Sequence, residues 1–253
     1  MQTQVKVVLG DIASSILSAI ELLGVDMIVM SSHGYTGFKR WELGSIAHKI
    51  VHHSPVPVLL LRDGGPTLAN ASIRVLVPLD GSPLSESALD PAVAFITSTA
   101  PANQRFLHLM RVVNIPVANG KFQVHLPFDN VITEDVKREA YAYLADHAAQ
   151  LSEGNYASSD LIVTTSVTVS TDVAAALVEQ AEQAGEPFNL IAMATHGRGG
   201  VLRWLMGSVM ERVLHHTKLP LLVVPAAMQR KHTEEKKEEV TANIKITERA
   251  VQR

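Results

Sequence analysis

The sequence predicts an α/β protein with a parallel, helix-covered sheet, and two observations carry that prediction. Apolar, β-branched runs of strand length alternate with helix-periodic segments along the chain, and chains that alternate in this way bury both faces of a parallel sheet under their helices. One passage is also written twice. Residues 193–208 read MATHGRGGVLRWLMGS and residues 30–45 read MSSHGYTGFKRWELGS. His33 and His196, Gly34 and Gly197, Trp41 and Trp204, and Gly44-Ser45 and Gly207-Ser208 stand at one constant separation, which continues through His52-His53 with His215-His216 and Pro57 with Pro220. An internal repeat of this kind sets the architecture at two related units.

Taken in order, residues 4–9 (QVKVVL) have the β-branched content of a strand, and Gly10-Asp11 turns them into a helix over 12–23 with Ile12, Ile16, Ala19, Ile20 and Leu23 on one face. Gly24 ends that helix. A short apolar strand (26–30), the first glycine loop, a helix over 44–53 and a strand over 57–61 complete the first unit. Residues 63–72 (DGGPTLANAS) hold turn formers without periodicity and read as a linker. Residues 73–78 (IRVLVP) begin a new strand, delivering Leu79-Asp80-Gly81-Ser82 at the carboxyl end, where open parallel sheets place their ligands. Ser82 or Ser85 caps a helix over 85–97 with Ala88, Ala92 and Phe95 turned inward. A strand over 106–113, an irregular excursion over 114–130 and a helix over 133–151 follow. A strand (161–169), a helix (173–184), a strand (188–193), the second glycine loop, a helix (207–216) and a strand (219–224) close the unit. The expected division is therefore 1–62, a linker at 63–72, 73–225, and a tail at 226–253 whose mixed charges and few apolar anchors read as a solvated or frayed segment.

Hydrophobic residues make up 47% of the 253 and charged residues 19%, enough to build a core and too little charge for a disordered chain. The net charge of −3 implies no general attraction to nucleic acid or anionic membrane. The absence of cysteine excludes a disulfide scaffold, a thiol nucleophile and a thiolate metal site. No apolar run approaches the roughly 18 residues of a membrane span, and residues 1–4 do not open like a signal peptide. The expectation is a cytoplasmic protein.

The chemistry concentrates at the second loop. Residues 190–193 are an apolar strand end and Val209, Val213 and Leu214 begin a helical pattern after Gly207-Ser208, so the backbone amides at that helix start can point at a phosphate. The alternative is a tight strand-to-helix connection with Ser208 as a cap. Arg198 and Arg203 would add positive charge there, or lie solvated at the surface. Asp80, a carboxylate at a strand end, suits ribose hydroxyls; it also suits a turn or helix cap. The loop is neither a Walker A motif nor a G-x-G-x-x-G fingerprint. Adjacent histidines on a helix diverge by about 100° and do not face one ion, so no metal site is expected from the His pairs. Trp41 and Trp204 read as packing under the loops. Ser82, Ser85 and Ser87 lie near Asp80, but no histidine is placed as their base, so no catalytic residue is assigned.

Residues 194–208, a small residue followed by two residues, Gly197, nine residues and Gly207-Ser208, resemble the G-x2-G-x9-G-[ST] loop of the universal stress protein family, and Val77–Ser82 (VPLDGS) resembles that family's first strand end. The resemblance implies a flavodoxin-like α/β domain over 73–225, commonly dimeric or in tandem, with some members binding ATP. Carried onto this chain, it implies an adenine-nucleotide site, with or without magnesium, formed by Pro78, Leu79, Asp80, Val112, Met193, Ala194, Gly197, Arg198, Gly207, Ser208, Val209 and Met210, with Pro78, Leu79 and Val112 as the adenine walls. Ala194 and, in the first unit, Ser31 replace the pattern's first glycine, and Met210 stands where a small hydroxyl residue is frequent. The first unit is recognisable only from its third strand onward and carries no equivalent of Asp80 or Val112, so one nucleotide per chain is expected, in the second unit. The last strands of the two units are expected to pair, within the chain or between two chains, because both are apolar sheet edges. The expected role is regulatory; the alternatives are a nucleotide-free interaction module and a slow ATPase.

Overall fold

The computed structural model describes residues 3–32, 43–62, 64–66, 68, 72–114, 128–153, 160–183, 185–196, 206–226 and 228, with backbone alone for 128–133. The elements run α1 (Ile12–Leu23), β1 (Ile28–Ser31), α2 (Ser45–His53), β2 (Val58–Leu61), β3 (Ile73–Pro78), α3 (Pro83–Glu86), α4 (Leu89–Thr99), β4 (Arg105–Asn114), α5 (Phe128–Glu153), β5 (Leu161–Ser170), α6 (Val173–Gln183), β6 (Leu190–Ala194), α7 (Ser208–His216) and β7 (Leu221–Val224). They form one seven-stranded sheet in the order β1-β2-β7-β6-β3-β4-β5.

Every pairing is parallel except one. From β3 the chain winds outward through β4 to β5, then returns to the other side of β3 as β6 and β7. This is the doubly wound, flavodoxin-like arrangement, and its direction reverses between β3 and β6, the point at which sheets of this class place a ligand crevice at the carboxyl ends of the strands. The antiparallel pair is β2 with β7, in register Val58↔Val223, Leu59↔Leu222 and Leu60↔Leu221. The two last strands thus meet inside the chain. All six residues are buried; each large aliphatic side chain removed from water contributes about 1.5–3 kcal/mol, so this seam is a hydrophobic joint as well as a hydrogen-bonded one.

The central strands of the sheet are covered on both sides. Ala13, Ala47, Ile50, Val51, Leu177, Val213 and Leu214 bring α1, α2, α6 and α7 onto one face. Ala92, Val93, Phe95, Ile96 and Leu144 bring α4 and α5 onto the other, above Val75, Leu107, Ala192 and Leu222. The helix ends follow their sequences. Asp11 accepts the Ser14 amide at 3.0 Å to start α1, and Gly24, at φ 61°, takes the left-handed conformation that ends it. Asp172 accepts the Ala175 amide at 3.0 Å to start α6 and pairs with Arg212 of α7.

Three expectations are corrected. Residues 4–9 are not a strand: they pair with nothing described, and Val5, Val7 and Leu9 are 86%, 89% and 97% exposed. A strand former without a neighbouring strand has no partner for its amides. The helix expected over 85–97 is two helices. Ser82 caps α3 by accepting the Ser85 amide at 3.2 Å, and the Ser87 hydroxyl turns back onto the Leu84 carbonyl at 2.6 Å just where α3 stops. α5 starts at Phe128, inside the stretch expected to be irregular; the remainder of that stretch, 115–127, lies outside the described residues, as do the linker positions 63, 67 and 69–71 and the tail beyond 228.

Candidate functional site

The crevice is lined by two strand ends and one helix start. β6 ends at Ala194, and Thr195 continues it by donating its amide to the Val224 carbonyl at 3.0 Å. The chain re-enters the described structure at Met206. There the Gly207 amide donates to the Thr195 carbonyl at 2.8 Å, so the long loop is pinched shut at its base. The Thr195 side chain, 1% exposed, secures the same point, its Oγ1 accepting the Ala226 amide at 3.1 Å with His196 Nδ1 at 3.0 Å. A Cβ on Gly207 would stand 3.1 Å from the Thr195 carbonyl oxygen and 3.5 Å from His196 Cα. Glycine is needed here for close approach and not for its dihedrals, which are an ordinary φ −59°, ψ 142°.

Gly207 is the N-cap of α7 and makes no side-chain cap hydrogen bond; its carbonyl accepts the Glu211 amide at 2.9 Å. The amides of Ser208, Val209 and Met210 therefore occupy the positions that have no intrahelical partner, at the positive end of the helix dipole. Ser208 is exposed and is the first helical residue, so the cap role falls to Gly207. Gly197 and Arg198, with Arg203 and Trp204, lie outside the described residues.

At the neighbouring strand end, the Leu79 amide donates to the Met110 carbonyl at 2.8 Å and the chain turns at Gly81, whose φ of 83° favours glycine. Asp80 Oδ1 accepts both the Ser82 amide at 2.9 Å and the Ser82 hydroxyl at 2.6 Å, while the Asp80 amide donates to Ser85 Oγ at 3.2 Å. The turn reading of Asp80 is thus realised. It also fixes the carboxylate just past the carboxyl end of β3.

The side chains divide into core and wall. Leu79, Met193 and Met210 are 2%, 6% and 2% exposed and belong to the two hydrophobic cores, as does Ala194 at 8% by burial. What these four can offer a ligand is backbone. Pro78, Val112 and Val209 are half-buried at the strand and helix ends. β4 continues beyond the end of β3, since Pro78 pairs with Met110 and Val112 lies two residues further on; Val112 and Val209 pack against the same core. The departures at Ala194 and Met210 fit this placement. Ala194 pairs with Val224 as an ordinary strand residue, and Met210 fills core volume.

Sequence reasoning did not single out Thr195. Its signal was the hydroxyl residue before the loop histidine in both units, Ser32 and Thr195. The first unit repeats the latch: Gly44 donates to the Ser32 carbonyl at 3.0 Å and Ser32 to the Leu61 carbonyl at 3.0 Å. Two further groups were missed. On the opposite face of β4, Tyr143 donates to Glu86 at 2.8 Å beneath the Arg111 guanidinium, and burial with the nearby Glu86 carboxylate raises its hydroxyl above the ordinary range. At the joint between the units, His52 stacks 4.4 Å from His48; burial, then the charges of His48, His196 and His53, lower it to about 4. His53 instead turns outward to the Lys49 carbonyl at 3.1 Å. Among the described residues no group of three or more His, Cys, Asp or Glu side chains is placed to hold a metal ion, and no helix is long and apolar enough to cross a membrane.

Comparison with known proteins gives one answer. A relative in Mycobacterium tuberculosis, Universal stress protein Rv2005c, is 31% identical over 199 residues, covering 78% of this chain and 61% of its own length. The chain therefore spans about three fifths of the length of that curated relative. The solved structure of a universal stress protein from Archaeoglobus fulgidus covers 84% of this chain and 66% of its own at 23% identity and a TM-score of 0.53. A Pseudomonas aeruginosa structure described as a putative universal stress protein covers 89% and 72% at 17% identity and a TM-score of 0.60; these two likenesses bear on the fold. The model of the "Universal stress protein family" matches residues 2–62 and 73–225, and the chain belongs to that family.

Proposed function

We propose that this universal stress protein is a regulatory adenine-nucleotide-binding protein, with ATP or a related nucleotide held at one site in residues 73–225, which we read as a domain of its own beside residues 1–62. The observation that carries the reading is the start of α7: three consecutive amides stand without intrahelical partners, behind a Gly207 drawn so close to Thr195 that a Cβ would crowd it. Such a helix start suits phosphate, with Ser208 Oγ beside it; the family pattern adds Gly197 and Arg198, which lie outside the described residues. Asp80, fixed by Ser82, would receive the ribose hydroxyls. Pro78 and Val112 would flank the base, and the Leu79, Met193 and Ala194 backbone would form the floor.

Nothing in this set is assigned as nucleophile or base, so the nucleotide acts as a ligand whose binding shifts stability and assembly. The first unit keeps the Gly44 latch but has no residues matching Asp80 and Val112, and phosphate contacts exposed to water give weak, unselective binding. A nucleotide-free interaction module is the second reading, favoured by the β2–β7 seam, which joins the units without any ligand. Equilibrium binding of labelled ATP, followed by a melting curve, separates the two. A ligand at 100 times its dissociation constant adds about 2.7 kcal/mol; an unchanged melting temperature at saturating ATP favours the interaction module. Release of phosphate on prolonged incubation would instead indicate an ATPase.

A further inference from the structure

The turn that fixes Asp80 is itself held from behind. Glu86, the last residue of α3, accepts the Tyr143 hydroxyl of α5 at 2.8 Å, and His147 Nε2, one turn further along α5, stands 3.5 Å from the same carboxylate oxygen. The Tyr143 and His147 rings meet edge to face at 4.7 Å, and the Arg111 guanidinium of β4 lies 5.0 Å over the tyrosine ring. The Glu86 and His147 side chains are largely withdrawn from water, at 31% and 16% exposure. Burial, the bond to Glu86 and the charges of Glu86 and Asp80 all hold the Tyr143 proton, with Arg111 opposing. The hydroxyl is therefore a donor throughout the neutral pH range.

From Glu86 an unbroken set of hydrogen bonds runs back to the site. The Glu86 amide donates to the Ser82 carbonyl at 3.2 Å, the Ser85 hydroxyl donates to that same oxygen at 2.8 Å, and Ser82 gives its amide and its hydroxyl to Asp80 Oδ1. α3 is four residues long, and a helix that short does not keep its shape unaided. What anchors its end therefore decides where its start lies. α5, with 26 residues and with Leu144 and Leu151 seated in the core, supplies the fixed side of that anchor.

We propose that Tyr143 is a positioning residue of the nucleotide site: through Glu86 and α3 it holds the Asp80 carboxylate in the orientation that receives the ribose hydroxyls. The inference rests on the nucleotide reading of residues 73–225. Tyr143 touches no ligand itself. Its effect reaches the ligand through Asp80, so it should be visible only while Asp80 is present, which is the non-additivity expected of residues in one network.

The test uses the full chain, with ATP as probe, at a temperature where circular dichroism shows every variant folded. Tyr143→Phe removes the hydroxyl and keeps the ring with its Arg111 and His147 contacts; it should weaken ATP binding in titration calorimetry by about tenfold, a difference of about 1.4 kcal/mol. Glu86→Gln keeps an acceptor for the hydroxyl and should retain more of the affinity than Glu86→Ala. Added to Asp80→Ala, Tyr143→Phe should cost little further affinity. Without nucleotide, Tyr143→Phe should speed hydrogen exchange at the Ser82 and Ser85 amides, which close the turn. A lowered melting temperature with unchanged ATP affinity would reduce Tyr143 to a packing residue and overturn the proposal. So would an equal tenfold loss on top of Asp80→Ala, or unaltered exchange at Ser82 and Ser85. A parent chain that binds no ATP would overturn the nucleotide reading instead, and the exchange at Ser82 and Ser85 would still decide whether Tyr143 holds the turn.

Discussion

Gly207 gives its amide to the Thr195 carbonyl at 2.8 Å, and the same oxygen lies 3.1 Å from where a Cβ on Gly207 would stand. The hydrogen bond and the missing side chain belong together: the loop closes at its base through an amide beside which a Cβ would be crowded. Gly207→Val should therefore push the first turn of α7 away from β6. We expect it to abolish ATP binding in titration calorimetry and to lower unfolding free energy by about 1–3 kcal/mol, the usual cost of overpacking. Gly44→Val should leave ATP binding nearly intact.

The carboxylate of Asp80 has a turn to hold as well as a proposed ligand. Asp80→Ala removes the acceptor for two Ser82 donors and should reduce both stability, by about 1–2 kcal/mol for a lost charged acceptor, and ATP affinity. Asp80→Asn keeps an oxygen for Ser82. It should melt close to the parent while still binding ATP more weakly; equal affinity for the two would confine Asp80 to the turn.

His52 gives the chain a pH dependence whose sign is fixed. Its folded pKa, lowered from 6.5 to about 4 chiefly by burial, means that the unfolded chain takes up the proton first as pH falls. Stability linked to His52 is fully present above pH 6.5 and is lost as pH falls from there toward 4. Solvent reaches part of the ring, so the loss is about 1 kcal/mol after screening. Urea unfolding of His52→Phe across this window should show a shallower slope than the parent.

Arg62 ties the units together. Its Nη2 donates to the Leu214 carbonyl at 2.7 Å and the Thr217 carbonyl at 3.1 Å, at the end of α7, where a cation also complements the helix dipole. Arg62→Ala should cost about 1.5–3 kcal/mol, the range for hydrogen bonds to a charged group. Denaturant melts followed by hydrogen exchange at β2 and β7 would detect it.

Much of this was legible in the residues. The strand expected over 188–193 is found at Leu190–Ala194, where every position is apolar or small and all five residues are buried. The repeated Gly-Ser after each long loop located both helix starts, and the apolar runs at 57–61 and 219–224 indicated the seam. Local pattern failed where partners decide. Residues 4–9 have strand composition, yet no described strand beside them, and composition cannot supply a neighbour. Ser87 bends the chain through a bond to Leu84 that periodicity does not register. In the site, residue type could not say whether Leu79, Met193 and Met210 face a ligand or the core; tertiary packing places all three in the core. Thr195 was overlooked because its bond to Gly207 is made by a backbone carbonyl, which residue type does not mark.

The central claim is one adenine-nucleotide site per chain, in the second unit. Calorimetric titration of the full chain with ATP measures it directly. The account predicts a stoichiometry of one, lost in Gly207→Val and retained in Gly44→Val. Two equivalent sites per chain, or equal loss from the two changes, would contradict it.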